Sequence, residues 1–190
     1  MNRFQTRTAR RSLGLALAGL ALLAVGAVPT VAAAAGTNVT PLCDGKAATM
    51  VGQPGQVAVR GTQGADVIVA LDAGVGIDGR GGDDTICAGD GDNIINGGAG
   101  NDWITGGEGT NTIDLGAGNN TAYAGAGNDT ILGGTGNDTV YAGEGDNLVS
   151  TGAGDDVIVT GAGDDRIDGA KGFDVCDGGA GSNYVGHCEG

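Results

Sequence analysis

Between residues 61 and 186 the chain places Asp or Asn at every ninth position, with one exception. The row reads Asp66, Val75, Asp84, Asn93, Asp102, Asn111, Asn120, Asp129, Asp138, Asn147, Asp156, Asp165, Asp174, Asn183. Carboxylates and carboxamides at a fixed interval put oxygen atoms in register, which is the chemistry of a hard cation such as calcium. Catalytic chemistry is poorly served. GxSxG and HExxH are absent and His187 is the sole histidine, so a Ser/His/Asp site would depend on one residue in the tail. We expect no enzyme.

The residues around this row show what positions it. Two places after each Asp or Asn comes a residue that is nearly always β-branched: Ile68, Ile77, Ile86, Ile95, Ile104, Ile113, Ala122, Ile131, Val140, Val149, Ile158, Ile167, Cys176, Val185. Two places before it stands Gly, except at Ala73. Gly97-Gly98-Ala99-Gly100-Asn101-Asp102-Trp103-Ile104-Thr105 is the cleanest of fourteen copies. Its first six residues make a turn, where glycine permits φ > 0 and close backbone approach, and the last three make a short strand with one inward side chain. A period this regular predicts a solenoid, whose repeats contact only their neighbours.

The nonapeptide resembles GGxGxDxUx of the RTX (repeats in toxin) haemolysin-type calcium-binding repeat family. The resemblance implies an all-β fold, a parallel β-roll with two repeats per coil. One coil is then eighteen residues, so the polar row splits between two edges. The first edge carries Asp66, Asp84, Asp102, Asn120, Asp138, Asp156 and Asp174; the second carries Val75, Asn93, Asn111, Asp129, Asn147, Asp165 and Asn183. Multiple Ca2+ ions are expected between stacked turns, held by these Asp side chains and by carbonyls of turn glycines such as Gly82, Gly98, Gly100, Gly134, Gly136, Gly152 and Gly154. The Asp-rich edge should bind more tightly. Asn offers only a neutral oxygen, and the second edge should hold calcium more weakly through carbonyls, assisted by Asp72, Asp90, Asp92, Glu108, Glu144, Asp146 and Asp164. Magnesium, which demands a small strict octahedron, suits such turns less well. Without metal the stacked carboxylates repel, and so thin a core opposes the entropy of ordering 42 glycines weakly, so folding should be linked to binding.

Residues 1–35 read as a secretory signal peptide. Arg3, Arg7, Arg10 and Arg11 precede an apolar run from Leu13 to Val28, and Ala33-Ala34-Ala35 offers a cleavage site before Gly36. Arg10-Arg11 leaves both the general and the twin-arginine export routes open. Once those residues are removed, five basic residues face 23 acids, a net charge of −18. Such a field repels nucleic acid and anionic membrane and attracts cations. Residues 36–60 are expected to form an N-terminal cap with degenerate repeats running back through Val59 and Met50, 61–186 the roll, and 187–190 a C-terminal cap.

An exported chain with four cysteines favours two disulfides. Cys87 and Cys176 lie 89 residues apart. That is nearly five coils, or roughly 24 Å at a strand spacing of about 4.8 Å, whereas bonded Cα atoms lie within about 7 Å. Cys188 is no nearer to Cys87, so Cys43–Cys87 and Cys176–Cys188 remain. Each should pin a terminal segment over an open end of the roll. The leader and the Cys-bearing ends resemble small secreted actinobacterial members of the family. The reading is therefore a secreted, monomeric calcium-binding protein with no transmembrane segment after cleavage, acting alone or with a cell-wall or other extracellular partner. The alternative is an adhesive or ice-binding solenoid, for which Thr112, Thr130, Thr121 and Thr139 point outward in ranks interrupted by Trp103, Leu148, Arg166 and Tyr184.

Overall fold

The computed structural model describes residues 40–189. The expected signal peptide lies outside the described residues, as do the first four residues of the expected N-terminal cap and Gly190. Successive strands alternate between two eight-stranded parallel sheets. The first runs from Met50–Val51 through Val67–Val69, Thr85–Cys87 and Trp103–Thr105 to Val175–Asp177, and the second from Ala58–Arg60 through Gly76–Asp78 and Ile94–Asn96 to Tyr184–Gly186. Pairing is in register at an interval of eighteen, as in Thr112↔Thr130, Ile113↔Ile131 and Asp114↔Leu132. The chain is a parallel β-roll with two nonapeptides per coil, and there is no helix among the described residues.

Strands this short survive because each presents one β-branched residue inward. The eighth-position residues from Ile68 to Ile167 are buried in a single core, joined by first-position residues such as Ala70, Ala88, Leu115, Ala124 and Ala142. Burying one such Ile stabilises by about 1.5–3 kcal/mol. Val75, the exception in the polar row, also belongs to this core. The turns stack as closely as the strands, with parallel bridges running Gly81↔Ala99↔Ala117↔Thr135. Gly98 (φ 104°) and Gly100 (φ 132°) show why glycine is required: a Cβ on either would run into the Arg80 or Gly82 carbonyl of the preceding coil.

Both expected disulfides are present, with Cα–Cα distances of 5.7 Å for Cys43–Cys87 and 5.9 Å for Cys176–Cys188. The C-terminal pair does what was expected of it: Cys176 and Cys188 pack against the last part of the core. The N-terminal pair does something else. Cys87 is a ninth-position residue and faces away from the core, so Cys43 is drawn onto the outer face of the first sheet and not over the open end. There the antiparallel hairpin Leu42–Cys43/Lys46–Ala47 forms a second small cluster with Val69, Cys87, Val67 and Trp103, and Lys46 Nζ donates to Thr85 Oγ1 at 2.8 Å. The open end is occupied instead by the degenerate coil, where Met50 pairs with Ile68 and Val59 with Ile77. Beyond the hairpin, Tyr123 stacks on Tyr141 at 4.8 Å along the same outer face.

Candidate metal centres

Each turn presents its sixth side chain inward, and all but one of these residues are buried. On the first edge the Asp66 N–H donates to Asp84 Oδ1, Asp84 to Asp102 Oδ1, Asp102 to Asn120 Oδ1, Asn120 to Asp138 Oδ1, Asp138 to Asp156 Oδ1 and Asp156 to Asp174 Oδ1, all at 2.7–2.9 Å. The second edge repeats the ladder from the Val75 N–H to Asn93 Oδ1 through to the Asp165 N–H to Asn183 Oδ1. From Asp84 and Asn93 onward, one oxygen of each sixth side chain is thus committed to the preceding coil. The edges differ in the other atom.

Where the residue is Asp, that atom has no partner except at Asp66. Oδ2 of Asp84, Asp102, Asp138, Asp156 and Asp174 on the first edge, and of Asp129 and Asp165 on the second, is buried without a hydrogen bond. An unpaired buried carboxylate oxygen is costly. Where the residue is Asn, Nδ2 reveals what lies around that point. Asn93 Nδ2 donates to Gly89 O and Gly91 O of its own turn and to Gly106 O of the next coil, at 2.7–3.0 Å. Asn111 donates to Gly109 O and Ala124 O, and Asn147 to Gly143 O and Gly145 O. The second- and fourth-position carbonyls and the next coil's first-position carbonyl therefore face the sixth side chain. Gly82, Gly98, Gly100, Gly134, Gly136, Gly152 and Gly154 all stand at such second or fourth positions with φ between 96° and 142°.

An Asp-headed turn accordingly gathers a carboxylate oxygen and carbonyls with no donor. First-position glycine leaves room among them. A Cβ on Gly79 would lie 2.5 Å from both Asp84 Oδ2 and Gly97 O; one on Gly97 would meet Asp102 Oδ2 at 2.6 Å and Leu115 O at 2.7 Å, and one on Gly133 would meet Asp138 Oδ2 at 2.7 Å. At Gly106 the same slot meets Asn111 Nδ2 at 3.1 Å. An oxygen-only donor set around a slot that glycine keeps open fits a calcium ion, which accepts carboxylates and carbonyls together in a tolerant geometry. Among the described residues no three His, Cys, Asp or Glu side chains converge, because most donors in these turns are main-chain carbonyls.

The carboxyls respond to their surroundings. Burial pushes Asp84, Asp129 and Asp138 up to about 6 against the N–H bond each accepts, and neighbouring Asp residues add to the rise at Asp84 and Asp138. Burial likewise raises Asp102 and Asp174. Asp66 stands apart: its Oδ2 accepts from the N–H and hydroxyl of Thr62, at 2.6 and 3.0 Å.

Sequence reasoning passed over a second ladder, at the fifth position. Asn101 N–H donates to Asp83 Oδ1, Asn119 to Asn101, Asn137 to Asn119 and Asp155 to Asn137, and Asp92, Asn128 and Asp146 play the same part on the second edge. These bonds run the opposite way, each side chain accepting from the following coil. The signal was the recurrence of Asn or Asp there; Asp92, Asp146 and Asp164 are ladder acceptors and not free acids.

No helix among the described residues is long and apolar enough to cross a membrane. A search of curated proteins found no match. The family model described as the RTX calcium-binding nonapeptide repeat (4 copies) matches residues 60–94, 88–122, 114–149, 123–158 and 150–185, well over half of the chain. Fold, turn chemistry and repeat together make this chain a member of the RTX calcium-binding repeat family.

Proposed function

We propose that this protein is a secreted, non-enzymatic calcium-binding protein whose roll completes its folding as cations enter the Asp-headed turns. The carrying observation is the contrast at the sixth position. Seven buried Asp residues leave Oδ2 without a donor, while Asn93, Asn111 and Asn147 place an amide at the same point and bond the surrounding carbonyls. Calcium supplies to the first kind of turn what the amide supplies to the second. The first edge, with Asp84, Asp102, Asp138, Asp156 and Asp174, therefore takes most of the metal. On the second edge only the turns of Asp129 and Asp165 compete for it, and the Asn-headed turns take none.

First-position residues grade the sites further. Asp84, Asp102, Asp138 and Asp174 follow Gly79, Gly97, Gly133 and Gly169, whereas Asp129, Asp156 and Asp165 follow Ala124, Thr151 and Thr160, which carry a side chain at the position that glycine leaves open. The four glycine-led turns bind more tightly. Export is supported by the Arg-led apolar leader, the Ala33-Ala34-Ala35 site and two disulfides.

Calorimetric calcium titration of the exported protein, with far-ultraviolet circular dichroism, tests the reading. Binding in at least two affinity classes, accompanied by a gain of β signal, is expected. One uniform class filling fourteen turns, or full β signal in chelator, would sink it. N-terminal sequencing of the exported protein should begin at Gly36.

A further inference from the structure

Every inner turn borrows two groups from the coil that follows it. Its sixth N–H finds an acceptor eighteen residues on, and a first-position carbonyl thirteen residues on stands beside the second atom of the sixth side chain: Gly97 O for Asp84, Leu115 O for Asp102, Gly106 O for Asn93, Ala124 O for Asn111. Asp174 heads the last such turn on its edge among the described residues, which hold no coil of the repeat beyond it. Both borrowed groups are nevertheless there. His187, thirteen residues on, brings its carbonyl to the slot at Gly169, where a Cβ would also lie 2.5 Å from Asp174 Oδ2. Glu189, only fifteen residues on, accepts the Asp174 N–H at Oε2 (2.8 Å) and returns its own N–H to Asp174 O (2.7 Å). Its longer side chain makes up for the shorter path.

We propose that the calcium site of the Asp174 turn is completed by the C-terminal tail, through the Glu189 carboxylate and the His187 carbonyl, and held closed by the Cys176–Cys188 disulfide. The proposal rests on the reading that Asp-headed turns take calcium. Capping the Asp174 N–H would need only a neutral acceptor. Instead a second carboxylate is set against Asp174, whose Oδ2 is buried without a partner and whose side chain is 0 % exposed. No Lys or Arg forms an ion pair with either group among the described residues, and the His187 ring is engaged elsewhere, with Nδ1 2.7 Å from Asp168 Oδ1. Cys188 lies between the two tail donors, so its bond to Cys176 fastens the segment at the place where the site needs it.

The test uses the exported protein with calcium alone as probe, and compares wild type, Glu189→Gln, Cys176→Ser/Cys188→Ser and Asp138→Asn. Gln can still accept the Asp174 N–H, so fold and disulfide persist and a thiol assay confirms the latter. Glu189→Gln should lose one bound calcium, or weaken one site by about tenfold or more. Calcium should then no longer slow amide exchange at Asp174 and Glu189, while the inner turns are unchanged. The double Ser variant should show the same loss although Glu189 is present. Unchanged stoichiometry, affinity and exchange in Glu189→Gln overturns the tail site. If Asp138→Asn loses a calcium while Glu189→Gln loses none, only the tail site falls; if wild type binds none, the underlying reading falls with it.

Discussion

The two edges of the roll share a backbone, a period and a ladder of N–H bonds to sixth-position oxygens, and differ at one atom per turn. On the Asp-rich edge that atom is Oδ2, buried and unpartnered at Asp84, Asp102, Asp138, Asp156 and Asp174. On the Asn-rich edge it is Nδ2 at Asn93, Asn111 and Asn147, bonded to the carbonyls that would otherwise face a cation. A cation and an amide N–H pair solve the same electrostatic problem, a cluster of oxygens pointing at one spot. The solutions differ in when they apply. The amide is present as soon as the chain is made, whereas a cation must come from outside, so on the proposed function it is the Asp-headed turns whose folding depends on metal. Asn120 on the first edge, and Asp129 and Asp165 on the second, carry the residue type of the opposite edge and serve as internal controls.

The largest effect should come from turning the first edge into the second. Replacing Asp84, Asp102, Asp138, Asp156 and Asp174 together with Asn removes five unpaired carboxylate oxygens, each costing about 1–3 kcal/mol. In chelator, wild type should lose its β signal in circular dichroism and the five-fold variant should keep it. A variant as unfolded as wild type would mean that the amide does not stand in for the ion.

The converse exchange is smaller and sharper. Asn93→Asp, Asn111→Asp and Asn147→Asp should each add one calcium in equilibrium dialysis and lower metal-free stability by about 1–3 kcal/mol in urea denaturation. Smaller still is the effect of room. Gly79→Ala puts a methyl 2.5 Å from Asp84 Oδ2 and Gly97 O, so the site must shift and lose about tenfold in calcium affinity. The reverse change, Ala124→Gly, should tighten the turn of Asp129. Equal affinities in the two variants would show that first-position bulk is irrelevant.

Much of this was legible in the chain because a solenoid repeats its own answer. Period and inward residue follow from a spacing of nine, since a strand with one inward side chain has no alternative register that keeps Ile in and Asp at the turn, and the two-repeat coil that the family resemblance implies then gives both disulfides. The non-repeating parts were harder. The N-terminal hairpin lies on the outer face of the first sheet because Cys87 is a ninth-position and not an eighth-position residue. That distinction was present in the register, but the analogy with Cys176 obscured it. Glu189 could not be read from the period at all, because the tail reaches Asp174 at an interval of fifteen. The role of Asn was half visible: its neutral oxygen is evident from its chemistry, whereas its nitrogen matters only once the carbonyls of three turn positions are seen to converge on it.

Acid provides the subtlest way to separate the edges. Asp84, Asp129 and Asp138 ionise near 6 in the metal-free fold against an ordinary 3.8, so the folded chain holds protons that the unfolded chain releases. The stability these groups contribute is fully present below about 3.8 and is lost as pH rises through about 6. In chelator, β signal should therefore rise as pH is lowered from 7 towards 5, since a proton on Oδ2 turns it into a donor towards the carbonyls and so imitates the Asn amide. With calcium present the trend reverses, because protons and metal compete for the same oxygens. The five-fold Asp→Asn variant, which lacks Asp84 and Asp138 but keeps Asp129, should respond less steeply, through Asp129. If its metal-free stability followed pH as steeply as that of wild type, the titrating groups would lie outside the sixth-position row.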